Sequence, residues 1–117
     1  MRISCVIPAR NENDPLLKEL KESIRRQIYH QDSVEIIVVT EGDSESAKAI
    51  GIRKAKGDIL CMLCSDNYLL DPFTFTQVDR LFRFLPDVTG IYSRHYAYSK
   101  DDNSLNRYFS LIGVNDP

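Results

Sequence analysis

The apolar run at residues 59–64 is the feature that most constrains the fold of this chain. It has strand length, follows Gly57-Asp58, and ends in the polar residues Ser65, Asp66 and Asn67. A run bounded in this way is typical of a buried strand in a parallel sheet. Because ligands of open α/β sheets bind at the carboxyl ends of the strands, Asp66 and Asn67 lie where a ligand site is expected. The alternative is that this pair only caps the strand and begins a turn.

Two earlier apolar runs and two helical patterns complete a repeating unit. The predicted strands and helices alternate, with strands at residues 2–8, 34–40 and 58–64 and helices at residues 15–29 and 44–56. The first helix begins at Asp14-Pro15, an N-cap followed by a proline in the first turn. Strands that alternate with helices predict a parallel sheet with right-handed crossovers. We therefore predict an α/β fold in which the strands lie in the order second, first, third.

The sequence after the third strand predicts one more helix and one more strand. Asp71-Pro72 is a second N-cap and proline pair, and apolar spacing extends the helix to residue 85. Pro86-Asp87 ends this helix, and residues 88–94 predict a short strand beyond or beside the third. Arg94-His95-Tyr96 either lies at a solvated strand end or faces a ligand.

Composition favours a single domain without a nucleic-acid partner. The chain has 117 residues and a formal net charge of −2, so it lacks the basic field that nucleic-acid binding requires. Lys18, Lys21, Arg25 and Arg26 form a basic helix face, which is interpreted as solvated, with contact to a membrane surface as the alternative. The sequence carries no evident signal peptide or transmembrane span, so we expect a cytoplasmic location.

Cys61 and Cys64 form a CxxC pattern, which occurs in redox centres and in zinc sites. A redox CxxC lies at a helix N-terminus, whereas this one lies in a predicted strand, where residues i and i+3 point to opposite faces of the sheet. The sequence offers no second CxxC or histidine pair that would complete zinc coordination. We therefore expect buried, reduced cysteines.

Four motifs, taken in order, resemble those of the inverting family 2 glycosyltransferases, which have the GT-A fold. Residues 5–12 read CVIPARNE, close to the family pattern V-I-P-x-Y/R-N-E, and residues 38–43 read VVTEGD where the family has V-V-D-D-G-S. Residues 47–60 correspond to A-R-N-x-G-I-x-x-A-x-G-x-Y-I, and residues 62–72 to F-L-D-A-D-N/D-x-x-x-P. The resemblance covers residues 2–72. It implies a Rossmann-like, three-layer α/β/α fold with a mainly parallel sheet.

The resemblance also implies a binding site for a nucleotide-diphosphosugar donor. Pro8, Ala9 and Glu12 would line the base and ribose, with the backbone of the first two contacting the base. Arg10 belongs to the same nucleotide-binding segment. Glu41 stands where the family has an aspartate that accepts a hydrogen bond from the N–H group of a uracil-type base, and glutamate keeps that acceptor.

Lys48, Ser65 and Asp66 complete the implied site. Lys48 stands where an arginine commonly approaches the nucleotide, and it keeps the charge but loses the bidentate fork. Asp66 matches the last carboxylate of the DxD motif, which coordinates Mg²⁺ or Mn²⁺ between the two phosphates, and Ser65 precedes it in the same motif. Hard divalent cations take oxygen ligands, often from few protein carboxylates and from substrate phosphates. Polarising the diphosphate lets it leave, which is Lewis-acid catalysis of a glycosyl transfer.

Three polar residues of the family pattern are absent. Cys64 replaces the first aspartate of the DxD motif, Thr40 replaces an acidic residue, and Ala49 replaces an asparagine. Two classes of function are therefore open. One is an inverting, metal-assisted glycosyltransferase acting on an unknown acceptor, which would be a lipid phosphate, a glycan or a protein. The other is a non-catalytic nucleotide-binding or interaction module with the same fold.

The family's catalytic base and acceptor site lie in a second half of the domain, well after the DxD strand. We therefore expect residues 1–117 to be the nucleotide-binding part of a longer transferase and assign no catalytic residue. Family members often carry hydrophobic segments later in the chain. The cytoplasmic face of a membrane is thus the alternative to a purely cytoplasmic location.

Overall fold

The structure, a computed structural model, describes residues 1–93. Its elements are β1 (Ile3–Pro8), α1 (Pro15–Arg25), a 3₁₀ turn (Gln31–Ser33), β2 (Val34–Val39), α2 (Ser44–Lys54), β3 (Ile59–Met62) and α3 (Thr74–Phe84). The three strands form one parallel sheet in the order β2-β1-β3. This order confirms the prediction that the two crossovers fold back to either side of the first strand.

The ladder determines which side chains share a face of the sheet. Cys5 of β1 lies beside Ile36 of β2 and Cys61 of β3, whereas the next residue, Val6, lies beside Met62. Successive residues of a strand point to opposite faces. The side chains of Cys5, Ile36 and Cys61 therefore share one face of the sheet, and those of Val6 and Met62 share the opposite face.

Helices cover both faces of the sheet. On the face of Cys5, α1 and α3 close the main core, which consists of Ile3, Cys5, Ile7, Leu17, Leu20, Ile24, Ile59 and Phe75. On the opposite face lies α2, where a β-carbon on Gly51 would fall 2.3 Å from Val6 Cγ1 and 3.5 Å from Val39 Cγ2. The result is an α/β/α arrangement with helices on the two sides of a parallel sheet, which is compatible with a Rossmann-like fold.

α1 ends at Arg25, four residues before the predicted end. The N–H of Arg26 still donates to Glu22 O, but the N–H of Ile28 donates to Pro72 O at 2.8 Å. The chain leaves the helix because hydrogen bonds to the segment before α3 replace the helical ones, so tertiary contacts override the local apolar spacing.

A hydrogen-bonded network at the amino end of the sheet stabilises the loop between α2 and β3. The hydroxyl of buried Ser4 donates to Glu35 Oε1 and accepts the N–H of Gly57 at 2.7 Å. The same carboxylate oxygen accepts the N–H of Lys56 at 2.6 Å. These hydrogen bonds lower the pKa of Glu35, and the bond from Ser4 has the larger effect.

Asp79 of α3 forms a second charged network, at the start of β1. It accepts hydrogen bonds from the Tyr29 hydroxyl and from Arg83 Nε, and its carboxylate lies 3.0 Å from the amino group of Met1. Burial opposes ionisation of this carboxylate, but these partners outweigh it and lower the pKa of Asp79 to about 2. Both networks lie at the amino end of the sheet, so they stabilise the fold away from the predicted ligand edge.

A second compact unit begins at Leu85. Its first residues form a turn in which the N–H of Val88 donates to Leu85 O at 3.0 Å. The predicted strand at 88–94 is wrong for residues 88–93, which form no strand. Ile91 and Tyr92 are exposed, so this short apolar stretch gains little burial that would stabilise a strand. The predicted role of Arg94-His95-Tyr96 lies outside the described residues.

Within residues 1–93, no helix has both the length and the apolarity that crossing a bilayer requires.

Candidate functional site

The end of β1 and the loop that follows it carry four of the predicted site residues. Pro8 is the last residue of the strand, and the N–H of Ala9 donates to Val39 O at 3.0 Å, which ties the start of this loop to the end of β2. Arg10 and Glu12 follow with exposed side chains. The loop ends at Asp14, whose carboxylate accepts the N–H of Leu16 at 2.9 Å and caps α1 as predicted.

The loop after β2 is a tight connection to α2. Gly42 has a φ of +71°, which glycine adopts without steric cost. Asp43 then caps α2, because its carboxylate accepts the N–H of Ser46 at 2.8 Å, and this bond lowers the pKa of Asp43. Asp43 therefore has a structural role. The exposed side chain of Glu41 remains as the candidate ligand of this loop.

Lys48 lies one turn into α2, and its ammonium group pairs with Glu45 at 3.0 Å. The pair is of the i, i+3 type on an exposed helix surface, where such contacts contribute little to stability. The lysine is therefore held only weakly by its partner. It can exchange that carboxylate for a phosphate.

The loop after β3 presents Ser65 and Asp66 at the corner of a turn. The N–H of Leu63 donates to Val6 O, after which the backbone N–H of Asn67 donates to Cys64 O at 3.0 Å. Asn67 Oδ1 in return accepts the N–H of Cys64 at 2.7 Å. Asn67 thus fulfils the capping role that was the alternative for the Asp66-Asn67 pair. The exposed carboxylate of Asp66 makes no hydrogen bond or ion pair with the rest of the described chain.

All three loops leave the same edge of the sheet, since parallel strands end there together. The loop 9–14 leads to α1 on one face, whereas the loop 40–43 leads to α2 on the opposite face. Because adjacent loops that diverge in this way leave room between them, we expect a ligand crevice between the ends of β1 and β2. Pro8, Ala9, Arg10, Glu12 and Glu41 would belong to its walls. Ser65 and Asp66 reach the same edge from the other side of β1.

Asp66 is the predicted metal ligand, and the donor set around it is sparse. Residues 1–93 contain no group of three or more histidine, cysteine or acidic side chains that could hold a metal ion. A site of one carboxylate suits Mg²⁺ or Mn²⁺ that arrives with a diphosphate, because such cations are commonly held by one or two carboxylates and by substrate phosphates. The residues therefore fit a metal that binds together with nucleotide and do not fit a metal that binds alone.

No disulfide joins the three cysteines, all of which lie within residues 1–93. Cys5 is fully buried beside Cys61, whereas Cys61 and Cys64 are half-buried. The hydrogen bond between Cys5 and Cys61, together with burial, raises the pKa of the Cys5 thiol, and the same bond lowers the pKa of Cys61. The expectation of buried cysteines is confirmed for Cys5 and is wrong for the CxxC pair, because β3 is an edge strand of the sheet that residues 1–93 form and Cys64 lies beyond its end.

Two buried polar residues, Ser23 in α1 and Gln27 just after it, were not predicted from the sequence. Ser23 and Gln27 are 2% and 4% exposed, and both reach the segment that follows the Asp66 turn. Their signal was in the helical spacing, because Leu20, Ser23 and Gln27 follow one another at i, i+3 and i+7 along the buried stripe. A polar side chain on that stripe needs a hydrogen-bond partner.

No protein-family model matches the chain, and no curated protein or solved structure is significantly similar to it.

Proposed function

We propose that the carboxyl edge of the sheet binds a nucleotide-diphosphosugar and that the protein is the donor-binding part of an inverting glycosyltransferase with the GT-A fold. The topology carries this proposal. The order β2-β1-β3 brings the loops after the three strands to one edge, as a single ligand contacting all three loops requires.

In this proposal the crevice between β1 and β2 receives the nucleoside. The backbone of Pro8 and Ala9 contacts the base, and Glu12 lies toward the ribose. Glu41, on the other wall, accepts a hydrogen bond from the N–H group of the base. Arg10 offers a positive charge to the phosphates. The exposed side chains of Arg10, Glu12 and Glu41 support these roles, because ligand contacts require groups that the fold itself does not use.

The diphosphate would lie above the end of β1, between Lys48 on one side and the turn of Ser65 and Asp66 on the other. The Ser65 hydroxyl can donate to a phosphate oxygen, and Asp66 would hold Mg²⁺ or Mn²⁺ jointly with the phosphates. When bound, the cation neutralises charge on the leaving diphosphate. The support for this placement is that the Asp66 carboxylate is exposed and makes no polar contact within residues 1–93.

The transfer itself is a single displacement at the anomeric carbon. An acceptor oxygen forms a bond to that carbon from the side opposite the leaving group. The bond to the diphosphate oxygen breaks, and its electron pair leaves with the nucleoside diphosphate. The acceptor proton passes to a base that is not among the residues assigned here. The acceptor is a lipid phosphate, a glycan or a protein, and the protein acts in the cytoplasm or at the cytoplasmic face of a membrane.

A non-catalytic nucleotide-binding or interaction module is the second candidate. It is favoured by Cys64 and Thr40, which stand where the transferase pattern has acidic residues. A module of this kind would bind the nucleotide at the same edge without transferring a sugar. The residues of the crevice serve both candidates, so the binding site is tested first.

Titration of uridine diphosphate or guanosine diphosphate with Mg²⁺, followed by amide NMR, tests the site. We expect binding in the high-micromolar range or weaker, on the order of −4 to −6 kcal/mol. The shifted amides should belong to residues 8–12, 40–43 and 64–67. No binding of either nucleotide, or shifts confined to the amino end of the sheet around Ser4 and Gly57, would contradict the proposal.

A further inference from the structure

We infer that Ser23 of α1 and Gln27, which lies just after the end of α1, are positioning residues that hold the loop carrying Asp66. The inference deepens the proposed function and rests on it for the identity of the ligand. The hydrogen bonds themselves stand on the geometry alone, so the two can be tested separately.

Ser23 is the first of the two contacts. Its hydroxyl donates to Leu20 O within α1 at 2.7 Å and accepts the N–H of Leu69 at 3.1 Å. The side chain is 2% exposed, so water does not replace this partner without opening the contact. Leu69 is three residues beyond Asp66, and Ser23 therefore fixes the point at which the loop rejoins the body of the protein.

Gln27 is the second contact, one helical turn further along. Its Nε2 donates to Asp71 O at 2.7 Å, and its Oε1 accepts the N–H of Phe75 at 3.0 Å. The side chain is 4% exposed and uses both ends of its amide. Gln27 thus joins the residues just after α1 to the end of the loop and to the first turn of α3.

These contacts define the course of the segment after Asp66. Leu69 meets Ser23, Asp71 meets Gln27, and Pro72 meets Ile28, so the segment descends along α1 from the carboxyl edge toward the amino end. The loop is also held where it begins, since Leu63 is bonded to Val6. Asp66 therefore lies between two hydrogen-bonded positions, Leu63 before it and Leu69 after it.

The same helix begins at the other part of the candidate site. Asp14, which ends the loop after β1, caps α1, and Ser23 lies in the third turn of that helix. A rigid helix thus connects the nucleoside-binding loop to the loop of Asp66. The distance between these two loops determines whether one diphosphate and its cation can contact both of them. Loss of the hydrogen bond of Ser23 should therefore weaken the metal-dependent part of nucleotide binding.

The experiment compares Ser23→Ala with Thr76→Val. Thr76 Oγ1 donates to Ile28 O at 2.7 Å, so it also joins α3 to the end of α1, but near the amino end of the sheet. For each variant we would measure the amide hydrogen exchange of residues 65–69 and the affinity for uridine diphosphate with and without Mn²⁺. One buried hydrogen bond corresponds to about a three- to tenfold effect.

We expect Ser23→Ala to accelerate exchange at Leu69 and at residues 65–68 and to reduce the Mn²⁺-dependent gain in affinity about three- to tenfold. Its affinity for the nucleotide without metal should equal that of the wild type. Thr76→Val should change neither quantity. Equal exchange in the two variants, or an equal loss of affinity with and without Mn²⁺, would overturn the inference, since a merely structural role predicts a uniform loss.

Two further outcomes keep the inference and the proposed function separate. If the wild type shows no Mn²⁺-dependent binding, the proposed function fails, and the exchange of residues 65–69 in Ser23→Ala alone decides the inference. If Ser23→Ala does not fold, wild-type exchange decides it. The amide of Leu69 must then exchange more slowly than those of Ser65 and Asp66, and equal rates would overturn the inference.

Discussion

Gly51 of α2 lies directly against Val6 of β1, so close that a β-carbon on the glycine would fall 2.3 Å from Val6 Cγ1. Val6 is fully buried, and its branched side chain has little rotational freedom. The helix therefore approaches the central strand at a distance that only glycine permits at this position. This contact holds α2, and with it the loop of Glu41, against the sheet.

Gly51→Ala should destabilise the fold. The added methyl group overpacks a closed contact, which typically costs about 1–3 kcal/mol. Urea denaturation of the variant and of the wild type measures the difference. Gly90→Ala is the matched control, because a β-carbon at Gly90 would meet no atom within 4 Å. Val6→Ala combined with Gly51→Ala should recover part of the loss, and an unchanged stability of the single Gly51→Ala variant would contradict this account of the packing.

Glu35 should make stability depend on pH in the acidic range. Its pKa is lowered in the folded protein from an ordinary value of 4.5, so its contribution is fully present above that value and is lost as pH falls through the folded pKa. Glu35→Gln removes the negative charge of the carboxylate, whose Oε1 accepts hydrogen bonds from the Ser4 hydroxyl and the Lys56 N–H. Hydrogen bonds to charged groups contribute about 1.5–3 kcal/mol, so the variant should be less stable at pH 7 by up to that amount.

The comparison of unfolding curves between pH 7 and pH 3 checks this expectation. The stability of Glu35→Gln should fall less steeply than that of the wild type below pH 4.5. Glu45→Gln is the control, because Glu45 has an 84% exposed side chain and only a surface partner. Parallel pH profiles for wild type and Glu35→Gln would show that the network does not depend on the charge of Glu35.

The thiols should react with iodoacetamide in a defined order. Cys5 is fully buried and its pKa is raised by its hydrogen bond to Cys61 and by burial, so it should be modified only when the protein unfolds. The half-buried Cys61 and Cys64 should react first at pH 8. Mass spectrometry of peptides after timed labelling gives the order, and modification of Cys5 as fast as Cys64 would contradict the described core.

Cys64→Asp should strengthen binding of Mn²⁺ with nucleotide. The substitution restores a carboxylate two residues before Asp66, where the family pattern has one, and a second oxygen ligand increases affinity for a hard cation. Titration of the variant with uridine diphosphate and Mn²⁺ measures the gain. An affinity equal to that of the wild type would mean that residue 64 does not face the ligand.

The sheet could be predicted from the sequence because its signals are local. Each strand is a mainly apolar run that leads into a polar segment, and Asp14 caps α1 as its position before Pro15 indicated. The alternation of strands and helices then left few topologies, and the order β2-β1-β3 followed from the handedness of the crossovers. For the same reason, the loops that carry Glu12, Glu41 and Asp66 could be placed at one edge.

The remaining features depend on contacts between distant residues. α1 ends early because the N–H of Ile28 donates a hydrogen bond to Pro72 O, forty-four positions later. The loop after β3 runs along α1 because Ser23 and Gln27 form hydrogen bonds with it. No local pattern encodes such pairs. The apolar stretch at 88–93 had the composition of a strand but does not form one, since strand formation depends on a neighbour that composition does not specify. At Asp66-Asn67, the sequence alone did not show that Asn67 is the residue that caps the turn.

The most direct test of the proposed site is the affinity of Asp66→Ala for uridine diphosphate with and without Mn²⁺, measured alongside its melting curve. We expect the variant to lose the Mn²⁺-dependent gain and to keep its stability within about 0.5 kcal/mol, because the side chain is exposed. Asp32→Ala, which removes an exposed carboxylate at the opposite end of β2, should change neither quantity. A variant that keeps the full Mn²⁺-dependent gain but loses about 1 kcal/mol of stability would show that Asp66 caps the turn, and it would contradict the metal site.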